Sequence, residues 1–337
     1  MKKIIVSILV TLLVLTGCGS TAEKKDSLVI YSNSASDGRG EWLTEKAKEA
    51  GFTVEIVPIP AGDLTNRLIA EKNNAIADMV YGLNTIEFEK LKAQDMLVEY
   101  TPTWAKDVDT SLGDGKHYYP IVVQPLVFIY NESAVGNDVP KDIVEFADPK
   151  YKDQYNVFSL GGGTGKTLYS SILVRYADPS GVLGVSEEGW KVAKAYIQNA
   201  HFEIKGEDYI GNVISGERPI SMMWGSGVMQ HQGERDYKFG VISPEIGVPY
   251  VVEQVAILND SKKELATEFA NWFGSAETQA AWSEKFGTIP AHPEAMKNAS
   301  ADVIEFMNSV HAQDIDWEFV TKNIDQWVEK AELEFVQ

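Results

Sequence analysis

The chain carries a single cysteine, Cys18, among 337 residues, so no disulfide can form within it. Its five histidines (His117, His201, His231, His292 and His311) are scattered without the short spacings of metal sites. Basic residues are scarce: 30 Lys and Arg stand against 49 Asp and Glu, a formal charge of −19. Such a surface disfavours nucleic acid and anionic lipid as partners. No Ser/His/acid order, paired-carboxylate signature or metal motif marks a catalytic centre, and Gly225-Ser226-Gly227 is no nucleophile elbow, because Trp224 stands where a glycine is needed. A secreted hydrolase is therefore the remoter alternative, and no catalytic residue, metal or cofactor is expected. Long apolar runs are missing as well. The stretch Ile4 to Thr16 is too short for a bilayer span, which takes about 20 apolar residues. What is present, 44% hydrophobic and 10% aromatic residues, excludes a disordered chain.

The amino terminus sets the compartment. Met1-Lys2-Lys3, the apolar run and small residues before a cut describe an export signal over residues 1–17. Leu15-Thr16-Gly17-Cys18 resembles a bacterial lipobox, which implies acylation of Cys18 as the new amino terminus and attachment to the outer face of the cell membrane by that lipid alone. Residues 18–26, small and polar after the cysteine, make a tether. Cleavage before Cys18 leaves 320 residues with a formal charge of −21, enough for two domains with cores of their own.

From Ser27 onward strand-like and helix-like stretches alternate. Leu28 to Tyr31, Thr53 to Val57, and Ala77 to Tyr81 read as strands; Glu41 to Ala50 and Leu64 to Lys72 read as helices. This spacing predicts a βαβ sheet with helices on both faces. Ile121 to Tyr130 is a first crossover between lobes, with a break expected at Gln124-Pro125. A second α/β set follows: strands at Asn156 to Ser159 and Ile220 to Trp224, with helices at Thr167 to Tyr176 and Trp190 to Ala200. Tyr250 to Leu258 is the return crossover, and helices close the chain.

This order resembles the bacterial extracellular solute-binding proteins of ATP-driven importers, in the cluster of ferric-ion, thiamine and phosphonate or sugar-phosphate receptors. The residues that carry it are Leu28-Val29-Ile30-Tyr31-Ser32, Asn66 to Glu71 with Ala77-Asp78-Met79-Val80, Leu126 to Asn131, and Val251 to Ile257 followed by the helix Glu264 to Phe273. The resemblance implies an α/β, two-lobed, type II periplasmic-binding-protein-like fold whose lobes close on a ligand by hinge bending. Residues 27–123 with 254–300 would form the first lobe, 124–253 the second, and 301–337 helices packed on one of them. It also implies a monomer that hands a small molecule to a membrane permease and its ATPase.

In open α/β sheets ligands sit beyond the carboxyl ends of the strands. That rule selects Ser32, Asn33 and Ser34; Tyr81 and Asn84; Ser159 to Thr167; and Trp224 with Ser226. Gln124 and Glu253 lie within the crossovers and can also reach the cleft. Gly161-Gly162-Gly163-Thr164-Gly165-Lys166-Thr167 is the most distinctive segment. Gly162 and Gly163 would let a ligand approach free amides at a helix start, Thr164 and Thr167 add hydroxyls, and Lys166 adds a charge. It misses the nucleotide phosphate loop by one position, having Leu160 where the first glycine belongs, and its plain alternative is a flexible turn. A small phosphorylated or phosphonate solute is the first expectation. A thiamine-type solute, from Asn66-Arg67-Leu68 and Val80 to Asn84, and a ferric ion are the alternatives. Tyr118-Tyr119 does not fall where ferric receptors of this cluster keep their tyrosine pair. Arg39 follows the first strand and can reach the cleft or stay on the surface, and Glu253 awaits either a ligand ammonium or a protein cation.

Overall fold

The computed structural model describes residues 27–336 apart from 37, 205 and 259–261, so the export signal, Cys18 and the tether lie outside the described residues. Among the described residues ten strands are present: β1 (Ser27–Ser32), β2 (Thr53–Pro58), β3 (Met79–Tyr81), β4 (Tyr118–Tyr130), β5 (Tyr155–Val157), β6 (Ala177–Val182), β7 (His201–Phe202), β8 (Ile220–Trp224), β9 (Gly240–Ile242) and β10 (Tyr250–Ile257). They join in the order β2-β1-β3-β10-β4-β8-β5-β7, with β9 also on β4 and β6 apart. β1 runs parallel to β2 and β3, and β5 parallel to β7 and β8. Each set is the parallel part of one lobe, fed by helices that return the chain.

Two long strands link the sets. β10 pairs antiparallel with β3 and β4, while β4 leaves β10 and continues antiparallel to β8 and β9. The expected break at Gln124-Pro125 is corrected: β4 runs unbroken for 13 residues through both Pro120 and Pro125. Pro125 stands opposite Tyr250, the first residue of β10, and Leu126 already pairs with Trp224 of β8. The missing amide of Pro125 thus falls where the strand changes partner and no ladder bond is lost. Pro120 likewise faces Gln254, beside the register shift between Glu253 and Gln254.

Alternation along the strands builds a core on each face. In the first lobe Leu28, Ile30 and Tyr81 pack with Phe269, Phe273 and Trp282, while Tyr31 and Val80 pack with Leu64, Leu68 and Phe88 on the other side. In the second lobe Phe128, Tyr155, Tyr169 and Trp190 form one core, and Val127, Ile129, Met223 and Phe239 another. The helix Ala301–Ser309 adds Val303 and Phe306 to the latter; Trp317–Glu334 adds Val320, Ile324 and Trp327 to the former.

Helix boundaries differ from the sequence expectation at two glycine-rich segments. The helix expected from Thr167 starts at Gly163, and Gly225-Ser226-Gly227 opens a helix, Gly225–Arg235, that was not anticipated. The helix Tyr209–Ser215 and the strands β6 and β9 were not anticipated.

Candidate functional site

The carboxyl ends of β1 and β3 lie side by side, since Ser32 pairs with Tyr81. Past β1 the chain turns tightly: the amide of Ser34 donates to Ser32 Oγ at 2.9 Å. Past β3 it passes through Gly82, whose φ of +96° suits glycine; a Cβ there would come within 2.7 Å of Ser34 Oγ and 2.8 Å of Asn33 Oδ1. Ser32 and Tyr81 are fully buried and Ser34 nearly so. The Tyr81 hydroxyl lies beside Ser32 but reaches no hydrogen-bond geometry, and Asn33 Oδ1 is also buried without a partner. Glu253 enters this cluster from β10. Burial raises its carboxyl above the ordinary range, while the Ser34 hydroxyl and the more distant Arg39 draw it back. Arg39 opens the helix Arg39–Glu49, with its guanidinium 5.8 Å from the centre of the Phe286 ring.

Asn84 carries the wall towards the second lobe. Its Oδ1 accepts from the Glu87 amide at 3.1 Å and so caps the helix Thr85–Lys92. Its Nδ2 lies 3.1 Å from where a Cβ of Gly163 would stand. The glycine segment of lobe 2 therefore meets Asn84 of lobe 1 across the cleft.

That segment is held by Ser159. The amide of Gly161 donates to Ser159 Oγ at 3.2 Å, and the amide of Gly162 to Ser159 O at 3.1 Å. Gly165 lies against the same residue, a Cβ there falling 2.2 Å from Ser159 O. No side chain caps the helix Gly163–Leu173, so its first amides have no intrahelical acceptor and no cap. The helices starting at Glu187, Ala276, Ala301 and Trp317 are capped by Ser186, Ser275, Ser300 and Asp316. Gly162 is exposed, and Gly163 and Thr164 are half-buried. Thr167 is 1% exposed and sits in the lobe interior, and Lys166 turns its ammonium to within 4.0 Å of Asp325 on the C-terminal helix. These two contribute differently from the sequence expectation: Thr167 to packing, Lys166 to a contact between elements.

Gln124 and Ser226 are also joined within the protein. Gln124 Oε1 accepts from the Ser226 amide at 3.0 Å, so a crossover side chain caps the helix Gly225–Arg235. Trp224, half-buried, packs on Phe158 with ring centres 5.6 Å apart, and Phe158 meets Tyr209 edge-on at 5.8 Å. Burial, helped by Glu203 and Asp208, pushes the Tyr209 hydroxyl up to about 12. Sequence reasoning missed Phe158 and Tyr209. Phe158 was placed inside a strand that in fact ends at Val157, and Tyr209 begins a helix that had not been recognised.

The tyrosine pair is spoken for. Tyr118 is buried with its hydroxyl on Glu89, and Tyr119 donates to Tyr100 O at 2.8 Å. Among the described residues no group of three or more His, Cys, Asp or Glu is placed to hold a metal ion, and no helix is long and apolar enough to cross a membrane.

Comparison with known proteins agrees with this architecture. The model of the bacterial extracellular solute-binding protein family matches residues 41–306. A probable ABC transporter periplasmic-binding protein, y4fP of Sinorhizobium fredii, is 32% identical over 93% of this chain and 87% of its own. Among solved structures, the apo ferric ion-binding protein A of Pasteurella haemolytica superposes with a TM-score of 0.76 at 16% identity, over 93% of this chain and 99% of that one. The periplasmic binding protein AfuA of Actinobacillus pleuropneumoniae, solved with fructose-6-phosphate bound, gives 0.68 at 17% identity, over 92% and 98%. The chain belongs to the bacterial extracellular solute-binding protein family: it is a two-lobed, solute-binding component of an ABC import system, whose partners are a small molecule and the importer's permease and ATPase.

Proposed function

We propose that the solute is a small phosphorylated or phosphonate compound, held where the lobes meet with its anionic group on the start of the helix Gly163–Leu173. One observation carries this: the first amides of that helix have no side-chain cap, and its first residue, Gly163, lies beside Asn84. Free amides at a helix start favour an anion, and a phosphoryl group brings about −1.5 to −2 charges at neutral pH. The molecule's charge of −19 opposes such a ligand at long range, so short hydrogen bonds must supply the affinity. A neighbour of the same fold solved with a sugar phosphate is in keeping with it. The ferric alternative is weaker here, because Tyr118 and Tyr119 are locked in the core and, among the described residues, no group of three or more His, Cys, Asp or Glu converges. The thiamine alternative rested partly on Asn66-Arg67-Leu68, but Arg67 lies against the Tyr31 ring at 4.5 Å and pairs with Glu71 at 2.7 Å.

Titration calorimetry with hexose phosphates and alkyl phosphonates against their phosphorus-free counterparts tests the proposal. One phosphorus compound should bind saturably and its counterpart should not. Gly163→Val should abolish that binding while leaving the empty protein's melting temperature within a few degrees, since the nearest atom is a movable side chain. Binding that survives in Gly163→Val would remove the anion from this helix.

We also propose that the protein works as a monomer tethered through acylated Cys18. Native protein should partition into detergent and Cys18→Ala should not; equal partitioning would refute the anchor.

A further inference from the structure

The lobes are joined by more than the strands β4 and β10. The helix Thr85–Lys92 follows β3, and Phe88 and Leu91 seat it in a first-lobe core. Ile86, 1% exposed, belongs instead to the second-lobe core that holds Leu126, Phe128 and Leu168. One short helix thus has side chains in the cores of both lobes. Its start is fastened to the return strand: Gln254 Nε2 donates to Thr85 Oγ1 at 2.9 Å, next to the register shift of β10.

Lys90 lies one turn beyond Ile86 on the same face of this helix. Its ammonium donates to Asp325 Oδ1 at 3.1 Å. Asp325 stands on the helix Trp317–Glu334, which Val320, Ile324 and Trp327 root in the second lobe. The same carboxylate oxygen lies 4.0 Å from Lys166 Nζ, in the first turn of the helix Gly163–Leu173. One aspartate therefore sits between two lysines, one from each lobe. Both lysine side chains are mostly covered, and Asp325 is exposed. An exposed ion pair by itself contributes little. This trio does more, because loss of the aspartate leaves two ammoniums of opposite lobes facing each other, closer than the Debye length of about 10 Å at 0.1 M salt.

We propose that Lys90, Asp325 and Lys166 form an ionic clasp that holds the two lobes in the arrangement seen here and opposes their opening. The inference is independent of which solute the cleft takes. Bending at β4 and β10 turns the first-lobe helix against the second-lobe one. Thr85 and Ile86 sit beside the bend and shift little. Lys90, about 6 Å further along the helix axis, is carried off Asp325. Opening thus separates charges at the far end of a helix whose near end stays anchored, and salt weakens the restraint.

The test is small-angle scattering on the purified full chain, without added solute, for the parent and Asp325→Asn. Each is measured at about 0.01 M and about 1 M sodium chloride, where the Debye length is about 30 Å and about 3 Å. Asp325 is exposed, so the variant should keep the parent's circular dichroism spectrum. At low salt it should have the larger radius of gyration, its open-to-closed ratio raised about two- to fivefold, the scale of an exposed ion pair. At high salt the two radii should converge. Adding Lys90→Gln to Asp325→Asn should bring the low-salt radius back towards the parent's, since the facing charges are then gone. Equal radii of parent and Asp325→Asn at low salt overturn the clasp. A difference that persists at 1 M salt, or that Lys90→Gln does not reduce, also overturns it and leaves Asp325 a role within its own helix only.

Discussion

At the scale of single residues, the site gathers polar groups that the fold buries with few partners. Glu253 shows what that costs. Its carboxyl is raised by burial, so the folded chain prefers it protonated. A raised acid contributes stability that is fully present below its unfolded pKa, near the ordinary glutamic value of 4.5, and is lost as pH rises through the folded pKa. In the empty protein burial therefore disfavours the ionised form of Glu253, and stability falls as that carboxyl ionises. Glu253→Gln should raise its melting temperature at pH 7, with the gain shrinking towards pH 4, at about 2–4 °C per kcal/mol for a chain of this class. A lower melting temperature at pH 7 would mean that the carboxylate is held by a partner after all. Some of this was legible from the sequence: an acid in the apolar run Tyr250 to Leu258 stands out. The orphan hydroxyl of Tyr81 was not, because its lack of a partner depends on where Ser32 and Ser34 turn. Lys166 and Thr167 read as ligand groups from their neighbours in sequence, yet one faces Asp325 and the other the interior. Their directions follow from where the helix begins, which composition does not reveal.

At the scale of elements, the long strands were visible, while the short β6 and β9 and the starts of the two glycine-led helices were not. Short, largely apolar runs such as Leu28 to Tyr31 and Ile220 to Trp224 declare themselves, because a strand buried on both faces of the sheet needs mostly apolar residues. Gly163-Thr164-Gly165 can pass for a turn and Gly225-Ser226-Gly227 shows no helix signal, since glycine costs about 1 kcal/mol within a helix. Tertiary contacts override that cost: Gln124 caps the second segment, and Gly165 allows the first to lie against Ser159. The glycines are thus not equivalent. Gly165→Ala puts a Cβ 2.2 Å from a backbone oxygen and should destabilise the protein by about 1–3 kcal/mol or more, the usual cost of overpacking, read as a lower denaturation midpoint in urea. Gly163, by contrast, has only the Asn84 side chain nearby. An unchanged midpoint for Gly165→Ala would show that the loop is free to move away from Ser159. Pro125 teaches a related lesson: a proline breaks a central strand only where its amide is needed, and here the strand changes partner instead.

At the scale of the whole molecule, two strands carry the chain between lobes: β4 changes partner after Pro125, and β10 shifts register between Glu253 and Gln254. Bending there would carry Asn84 and Gly163 towards or away from each other while leaving the four cores intact. The alternation of elements made this architecture legible, but the ligand was not, since it depends on which atoms remain unpaired once everything else has packed. Native mass spectrometry with ion mobility, on protein purified without denaturation, reads both aspects at once. The account predicts one bound small molecule that releases a phosphorus-containing fragment on activation, and a larger collision cross-section once it has left. A bound solute without phosphorus, or a ferric ion in its place, would contradict it.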